Sequence, residues 1–251
     1  MKIIINADDC GLSKEVDKEI EACIKNKLIS STTIMANMAD FEGAIRLYRD
    51  YKDEVSFGWH INLTEGRPLL PSQQLLDFGY YVEKDGMVCF NGMVFWKTLS
   101  FPKSIKIEIR KELKTQIEKI QDHGVKISHA DSHQHIHTSP AMIMLIPQLL
   151  LELGINKCRR LRNYVESPIH RVARNMFMLP YKIRQIKMTD GFGPFRDYLD
   201  NPKVFNRGCV ELMVHPGAST SENSIAVDEY KRLDVSTLKK LNVDLATYNE
   251  L

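Results

Sequence analysis

Gly124-Val125-Lys126-Ile127-Ser128-His129-Ala130-Asp131-Ser132-His133-Gln134-His135-Ile136-His137-Thr138-Ser139-Pro140 is the stretch on which the fold turns. Gly124 to Ile127 reads as a short strand leaving a helix, and Ser139-Pro140 reads as the start of the next one. Between them, half of the residues from Ser128 to His137 are His or Asp, in a chain with only 8 histidines. Metal-ligand chemistry is concentrated at the carboxyl end of a strand, which is where alternating β/α chains keep their active sites. If the segment stays extended, Asp131, His133, His135 and His137 share one side. Imidazole with carboxylate suits a borderline or hard divalent cation and not a thiolate-type site. The plainer alternative is a polar, His-rich surface loop.

Outward from this point the β-α alternation continues. Lys2 to Asn6 is an apolar run that suits a strand buried on both faces, and Ser13 caps a helix running to about Asn26. Ile29 to Ala36 is β-branched and strand-like, Asp40 opens a second helix, and Val55 to Leu63 makes a third strand carrying His60. The pattern then fails between Glu65 and Pro102, an interval too long for an ordinary connection. Within it, Tyr80 to Phe90 reads as a hairpin turning at Asp85-Gly86, so the insertion at about 65–102 is expected to act as a lid. Lys103 to His123 follows as a long amphipathic helix with a solvated charged face. Further strands are expected at Val125–Ala130, Lys157–Leu161, Ile183–Met188, Cys209–Val214 and Val243–Ala246, with helices at Pro140–Leu153, Ser167–Met178 and Val227–Leu241. About eight strands against five to seven helices, with no repeat or linker, predict an α/β fold: a single TIM-barrel-like (β/α) domain over residues 1–251, regular or not.

Composition narrows the function. The 34 basic and 32 acidic residues leave a formal charge of +2, which gives no global field to draw in nucleic acid or an anionic membrane. Five cysteines without a CxxC pair suggest neither a disulfide framework nor a zinc knuckle, and they fit a reducing cytoplasm. The N-terminus is charged too early for a signal peptide. The apolar run Ala141 to Leu153 is too short to span a bilayer. A soluble protein with a small or neutral substrate is expected, and it is expected to form a homodimer.

Other strand ends repeat the chemistry of the His cluster. Asp8 and Asp9 follow the first strand; consecutive residues point to opposite sides, yet at the turn beyond a strand they can share one pocket, one holding a cation and the other left to take a proton. Two free carboxylates so close would repel, and a cation relieves this. His60 lies near the end of the third strand in Gly58-Trp59-His60, and His215 ends the run Met213-Val214-His215-Pro216-Gly217. Taken singly, each has a blander reading, as a cap, a core histidine or a turn neighbour.

Together, Asn6-Ala7-Asp8-Asp9-Cys10-Gly11-Leu12-Ser13, Gly58-Trp59-His60 with Leu63-Thr64, His129 to His137 and Val214-His215-Pro216-Gly217 resemble the YdjC/ChbG carbohydrate deacetylases in order and near spacing, over essentially the whole chain. The resemblance implies a TIM-barrel-like fold, magnesium or a similar divalent ion, and hydrolysis of the N-acetyl group of an acetylated amino sugar such as a chitooligosaccharide. It implies Asp9, His60 and His133 as metal ligands, Asp8 as general base toward a water on the cation, and His215 as general acid. Asp131, His135 and His137 are then expected to orient the ligating imidazoles. The donor set also admits zinc, manganese or cobalt. Cys10 stands where a Phe is usual in the family.

Phe78, Tyr80, Tyr81, Phe90, Phe95 and Trp96 of the insertion offer faces for a sugar ring, or else a small core beneath the lid, with Tyr80 and Trp96 taken as the substrate-binding pair. Arg160 and Arg162 are candidates for holding hydroxyls or a sugar phosphate. Competing readings are a metal-dependent phosphoesterase, which would need a second metal with a bridging carboxylate, and a non-catalytic sugar- or metal-binding protein.

Overall fold

The computed structural model describes residues 1–92, 94, 98–164, 167–204, 208–217 and 244–251 of the 251-residue chain. At its centre is β1 (Lys2–Cys10), whose Ile3, Ile4 and Ile5 are fully buried. A strand apolar on both faces needs cover on both, which a parallel sheet wrapped by crossover helices supplies. The sheet runs β6 (Ala130–Ser132), β3 (Ser56–Ile61), β2 (Ser31–Ile34), β1, β8 (Cys209–Val214) and β7 (Gly191–Pro194), with every neighbouring pair parallel. A short β9 (Asp244–Leu245) pairs with Lys2 and Ile3 at the start of β1.

The expected closed barrel is not what forms. The sheet is a curled half-barrel, and between β6 and β7 the ladder lapses. Lys157 to Leu161 contributes isolated bridges, Ala130 to Cys158 and Lys157 to Lys187, where a full strand was expected. Ile183 closes the short helix α7 (Leu179–Ile183) instead of opening a strand. The cause lies in the flanking segments. β6 is three residues long because the chain turns at once into a 3-10 segment, His133–Thr138, and β7 ends at Pro194, which cannot donate to a ladder.

The helices follow their apolar faces. In α1 (Lys14–Lys25), Ser13 accepts the Val16 N–H at 3.3 Å, and Val16, Ile20, Cys23 and Ile24 are buried. In α2 (Phe41–Tyr51), Phe41, Ala44, Ile45, Leu47 and Tyr48 are buried. The insertion carries α3 (Gln73–Asp77) and the hairpin of β4 (Tyr81–Lys84) and β5 (Met87–Phe90). Asp85 and Gly86 have φ of 52° and 73°, the two left-handed residues of a primed turn, as their sequence predicts.

The charged face of α4 (Lys103–Asp122) is less solvated than expected, since Glu112 and Gln116 are fully buried. Glu112 accepts the N–H groups of Leu69 and Leu70 at 3.1 and 2.6 Å, and Gln116 donates to the Asn62 carbonyl at 2.7 Å. The helix thereby pins the insertion beside the carboxyl end of β3. α5 (Leu145–Glu152) begins later than the Pro140 start expected for it, and α6 (Pro168–Phe177) and α8 (Phe195–Asp200) complete the described helices. The helix expected at Val227–Leu241 lies outside the described residues.

Candidate active site

Because the main strands are parallel, their carboxyl ends meet at one rim. The register of β1 against β2 slips there: Ala7 pairs with Thr32 and Cys10 with Ile34, so Asp8 and Asp9 together oppose Thr33 alone. This bulge, with Asp9 at φ 67°, re-aims consecutive side chains so that both carboxylates face the same interior. A regular strand would have sent them to opposite faces.

Asp9 meets two imidazoles. His133 Nδ1 is 2.8 Å from Asp9 Oδ1, and His60 Nε2 is 3.0 Å from the same oxygen without the alignment of a hydrogen bond. Asp131 Oδ1 accepts from His60 Nδ1 at 2.6 Å, which fixes the ring and turns Nε2 toward Asp9. Burial alone would lower the His60 pKa, but Asp131 and Asp9 outweigh it and push the imidazole up to about 10. In the same way Asp9 and Glu65 overcome burial to push His133 up to about 9. Burial works to raise the Asp9 pKa, and the two imidazoles instead hold it well below the usual carboxylate range.

The donor atoms of Asp9, His60 and His133 lie within 4.8 Å of one another, and the Nε2 atoms of both histidines are buried without a hydrogen-bond partner. One carboxylate and two imidazoles with unpartnered nitrogens fit a divalent cation with positions left open for other ligands. Glu65 Oε2, 3.4 Å from His133 Nε2, borders this group and drew no notice in the sequence. A second donor group, Asp8, His60 and Asp131, is blocked by a protein cation: Arg159 Nη1 lies 2.6 Å from Asp8 Oδ2 and 2.9 Å from Asp131 Oδ2.

Arg159 is the largest omission of the sequence reading. It is fully buried and holds Asp8 with both terminal nitrogens, Nη1 to Oδ2 and Nη2 to Oδ1, each at 2.6 Å. Burial would raise the Asp8 pKa; the bidentate guanidinium reverses this and holds it well below the usual range. Asn6 donates a further hydrogen bond to Asp8 Oδ1 at 2.8 Å, and His215 Nε2 stands 3.8 Å from Asp8 Oδ2. Two signals for Arg159 were present: Glu211, the lone charge inside the apolar run Val210 to Val214, and the carboxylates gathered at the strand ends. Buried acids of that kind require a buried base.

The remaining candidates disperse. His137 takes Ser132 Oγ at Nδ1, 2.5 Å, and donates from Nε2 to the Arg159 carbonyl at 3.1 Å, so it supports Arg159 and not the imidazoles of His60 and His133. His135 stands edge-on to Phe192 at 5.5 Å, and burial with the Arg159 charge pushes its pKa down to about 3. Arg160 is buried with Nη1 on the carbonyls of Thr189 and Asp190. Arg162 is half-exposed and pairs with Asp197 at 2.5 Å. Tyr80 is enclosed within the insertion by Tyr81, Phe90 and Phe101. Trp96 lies outside the described residues.

Residues 2–247 match the model of the family described as YdjC-like protein. The chain belongs to the YdjC-like family. Along its full length it is similar to a carbohydrate deacetylase of Clostridium beijerinckii, 27% identical over 267 residues with 100% of each chain covered. It is also 34% identical over 146 residues to a carbohydrate deacetylase of Geobacillus stearothermophilus, covering 58% of this chain and 54% of the relative. Among solved structures, a YdjC-like chain of this shape is similar to an Enterococcus faecalis protein described as a candidate cellobiose-phosphate cleavage protein, with TM-score 0.76, 20% identity and coverage of 99% and 98%. A lactam utilization protein from Thermus thermophilus follows with TM-score 0.54, 13% identity and coverage of 98% and 100%. At these identities the two structures speak to the fold. Among the described residues of this YdjC-like protein, no helix is long and apolar enough to cross a membrane.

Proposed function

We propose that this YdjC-like protein is a divalent-cation-dependent hydrolase that removes N-acetyl groups from acetylated amino sugars of the chitooligosaccharide kind. The observation that carries the reading is the bulge ending β1, which gives two adjacent carboxylates separate tasks in one pocket: Asp9 against two imidazoles, Asp8 against Arg159 and His215. The full-length likeness to a protein named carbohydrate deacetylase supports it.

Asp9, His60 and His133 would hold the cation, magnesium in the family's pattern with zinc, manganese or cobalt compatible with the donors. It would polarise the acetyl carbonyl and acidify the attacking water. Asp8 orients that water and accepts its proton. A carboxylate depressed by Arg159 holds a proton weakly, so it serves chiefly as a fixed, charged acceptor and readily gives the proton up again. His215, whose Nε2 stands 3.8 Å from Asp8 Oδ2, donates to the departing amine nitrogen, and the proton on Asp8 returns to the imidazole by way of solvent. Water adds to the carbonyl carbon, the C–N bond breaks, and acetic acid and free amine leave, the acid's proton passing to the amine so that acetate and ammonium are the final products. The phosphoesterase alternative loses support because Arg159 fills the place a second cation would need.

The test is acetate release by the purified protein from a panel of N-acetylated amino sugars with divalent cation added. Asp8→Asn should lower kcat by at least about a hundredfold with the cation still bound. Acetate release unchanged in that variant would exclude Asp8 as the base.

A further inference from the structure

Arg159 has two edges, and only one of them faces Asp8. On the other, Nε donates to Glu211 Oε1 at 2.6 Å, and Glu211 Oε2 accepts the Tyr248 hydroxyl at 2.5 Å. Glu211 lies within β8, and Tyr248 opens the 3-10 turn Tyr248–Glu250; both are fully buried. Tyr248 is itself held from several sides. Its ring stacks on His129 with centroids 3.5 Å apart and 7° between planes, its N–H reaches Ser56 Oγ at 3.2 Å, and its carbonyl accepts Lys157 Nζ at 2.6 Å. Ser56 begins β3 and Lys2, which pairs with Glu250 at 3.1 Å, begins β1, so this turn sits beneath the amino ends of the strands.

The geometry points to Glu211 and Tyr248 as positioning residues for Asp8, acting through Arg159 from the opposite end of the sheet. A bidentate clamp needs its guanidinium fixed in rotation within the plane, because both Nη atoms must meet both carboxylate oxygens at once. Asp131 Oδ2, 2.9 Å from Nη1, competes for the same edge. With Nε anchored to Glu211, that competition cannot turn the guanidinium; without the anchor, it rotates toward Asp131 and leaves Asp8 with a single contact. The Phe192 ring, 4.7 Å from Cζ, restrains tilt but not in-plane rotation. The Tyr248 hydroxyl sets which way Glu211 faces, and its own position is fixed by the His129 stack and the backbone contacts. The catalytic meaning of this relay rests on Asp8 being the base proposed above.

Tyr248→Phe keeps the ring, the stack and the backbone bonds and removes only the hydroxyl. On an N-acetylated chitooligosaccharide with divalent cation added, kcat should fall about tenfold with KM unchanged, since the interaction lost matters in the transition state. Glu211→Ala should fall further, and Glu211→Gln, whose amide oxygen can still accept from Nε, should recover most of that loss. In protein labelled with nitrogen-15 arginine, the Arg159 Nε–H should exchange slowly with solvent in the wild type and about tenfold faster in Tyr248→Phe. A Tyr248→Phe protein with wild-type kcat, or with an Arg159 Nε–H as protected as in the wild type, overturns the relay. If the wild type itself releases no acetate from any acetylated sugar, the deacetylase reading falls, and the exchange measurement alone decides whether Tyr248 holds Arg159.

Discussion

His60 Nδ1 and Asp131 Oδ1 stand 2.6 Å apart, and this contact, with Thr33 Oγ1 at 3.0 Å from the same nitrogen, turns Nε2 of His60 toward Asp9. A second carboxylate behind a ligating imidazole fixes its tautomer and raises its basicity, and its loss typically lowers metal affinity by about 10–100-fold. The wild-type protein is therefore expected to melt at a higher temperature as Mg²⁺, Mn²⁺ or Zn²⁺ is added, by about 2.7 kcal/mol of stabilisation at a hundred times Kd. His60→Ala should lose the effect, and Asp131→Asn should need about 10–100 times more cation. Calorimetric titration checks both, and equal affinity in wild type and Asp131→Asn would refute the orienting role.

Arg159 faces Asp8, Asp131 and Glu211, and all four side chains are buried. Removing one partner of a buried ion pair leaves uncompensated charge, at a cost of about 3–5 kcal/mol. Arg159→Ala should thus unfold at markedly lower urea concentration. Arg159→Lys retains the charge without the planar fork, so it should recover much of the stability and little of the activity. A lysine variant with full acetate release would show that charge alone suffices.

The alternating strands and helices up to Ile61 were legible because burial on both faces leaves a plain mark, as in Ile3-Ile4-Ile5 and in the helical spacing of Val16, Ile20 and Cys23. Barrel closure was not legible. Lys157 to Leu161 has the composition of a strand, yet tertiary contacts allow it only isolated bridges, and nothing local distinguishes the two cases. In the site, ligand-type residues announced themselves by type and position, whereas Arg159 did not. It neighbours two other arginines, and only the distant carboxylates it neutralises tell it apart from Arg160, which lies against backbone carbonyls, and from Arg162, which pairs near the surface.

Gly58 lies in β3 two residues before His60, and a Cβ there would sit 2.5 Å from His129 Cε1 and 2.7 Å from Thr33 Cγ2. Neither neighbour can yield easily. His129 is stacked on Tyr248, and Thr33 contacts His60 Nδ1 at 3.0 Å. Gly58→Ala is expected to cost about 1–3 kcal/mol by overpacking, and to weaken cation binding through Thr33 and His60. Chemical denaturation with a cation titration tests this; a variant as stable as wild type would mean that the His129 stack is freer to shift than its contacts indicate.

Asp17 fixes the loop that follows Asp9, since its Oδ1 accepts the Gly11 N–H at 2.6 Å while its Oδ2 is buried without a hydrogen-bond partner. Burial, with Asp40 nearby, pushes its pKa up to about 7 from an ordinary 3.8. The folded state therefore keeps a proton that the unfolded chain gives up. The corresponding stability is complete below the unfolded value, declines as pH rises from there, and is lost once pH passes about 7. Asp17→Asn keeps an oxygen for Gly11 and cannot ionise, so its stability should lack this decline. Relative to wild type, the variant should gain stability steadily from pH 4 to about 7 and level off above it. Urea midpoints at a series of pH values measure the difference directly, and parallel curves for the two proteins would place the Asp17 pKa at its ordinary value.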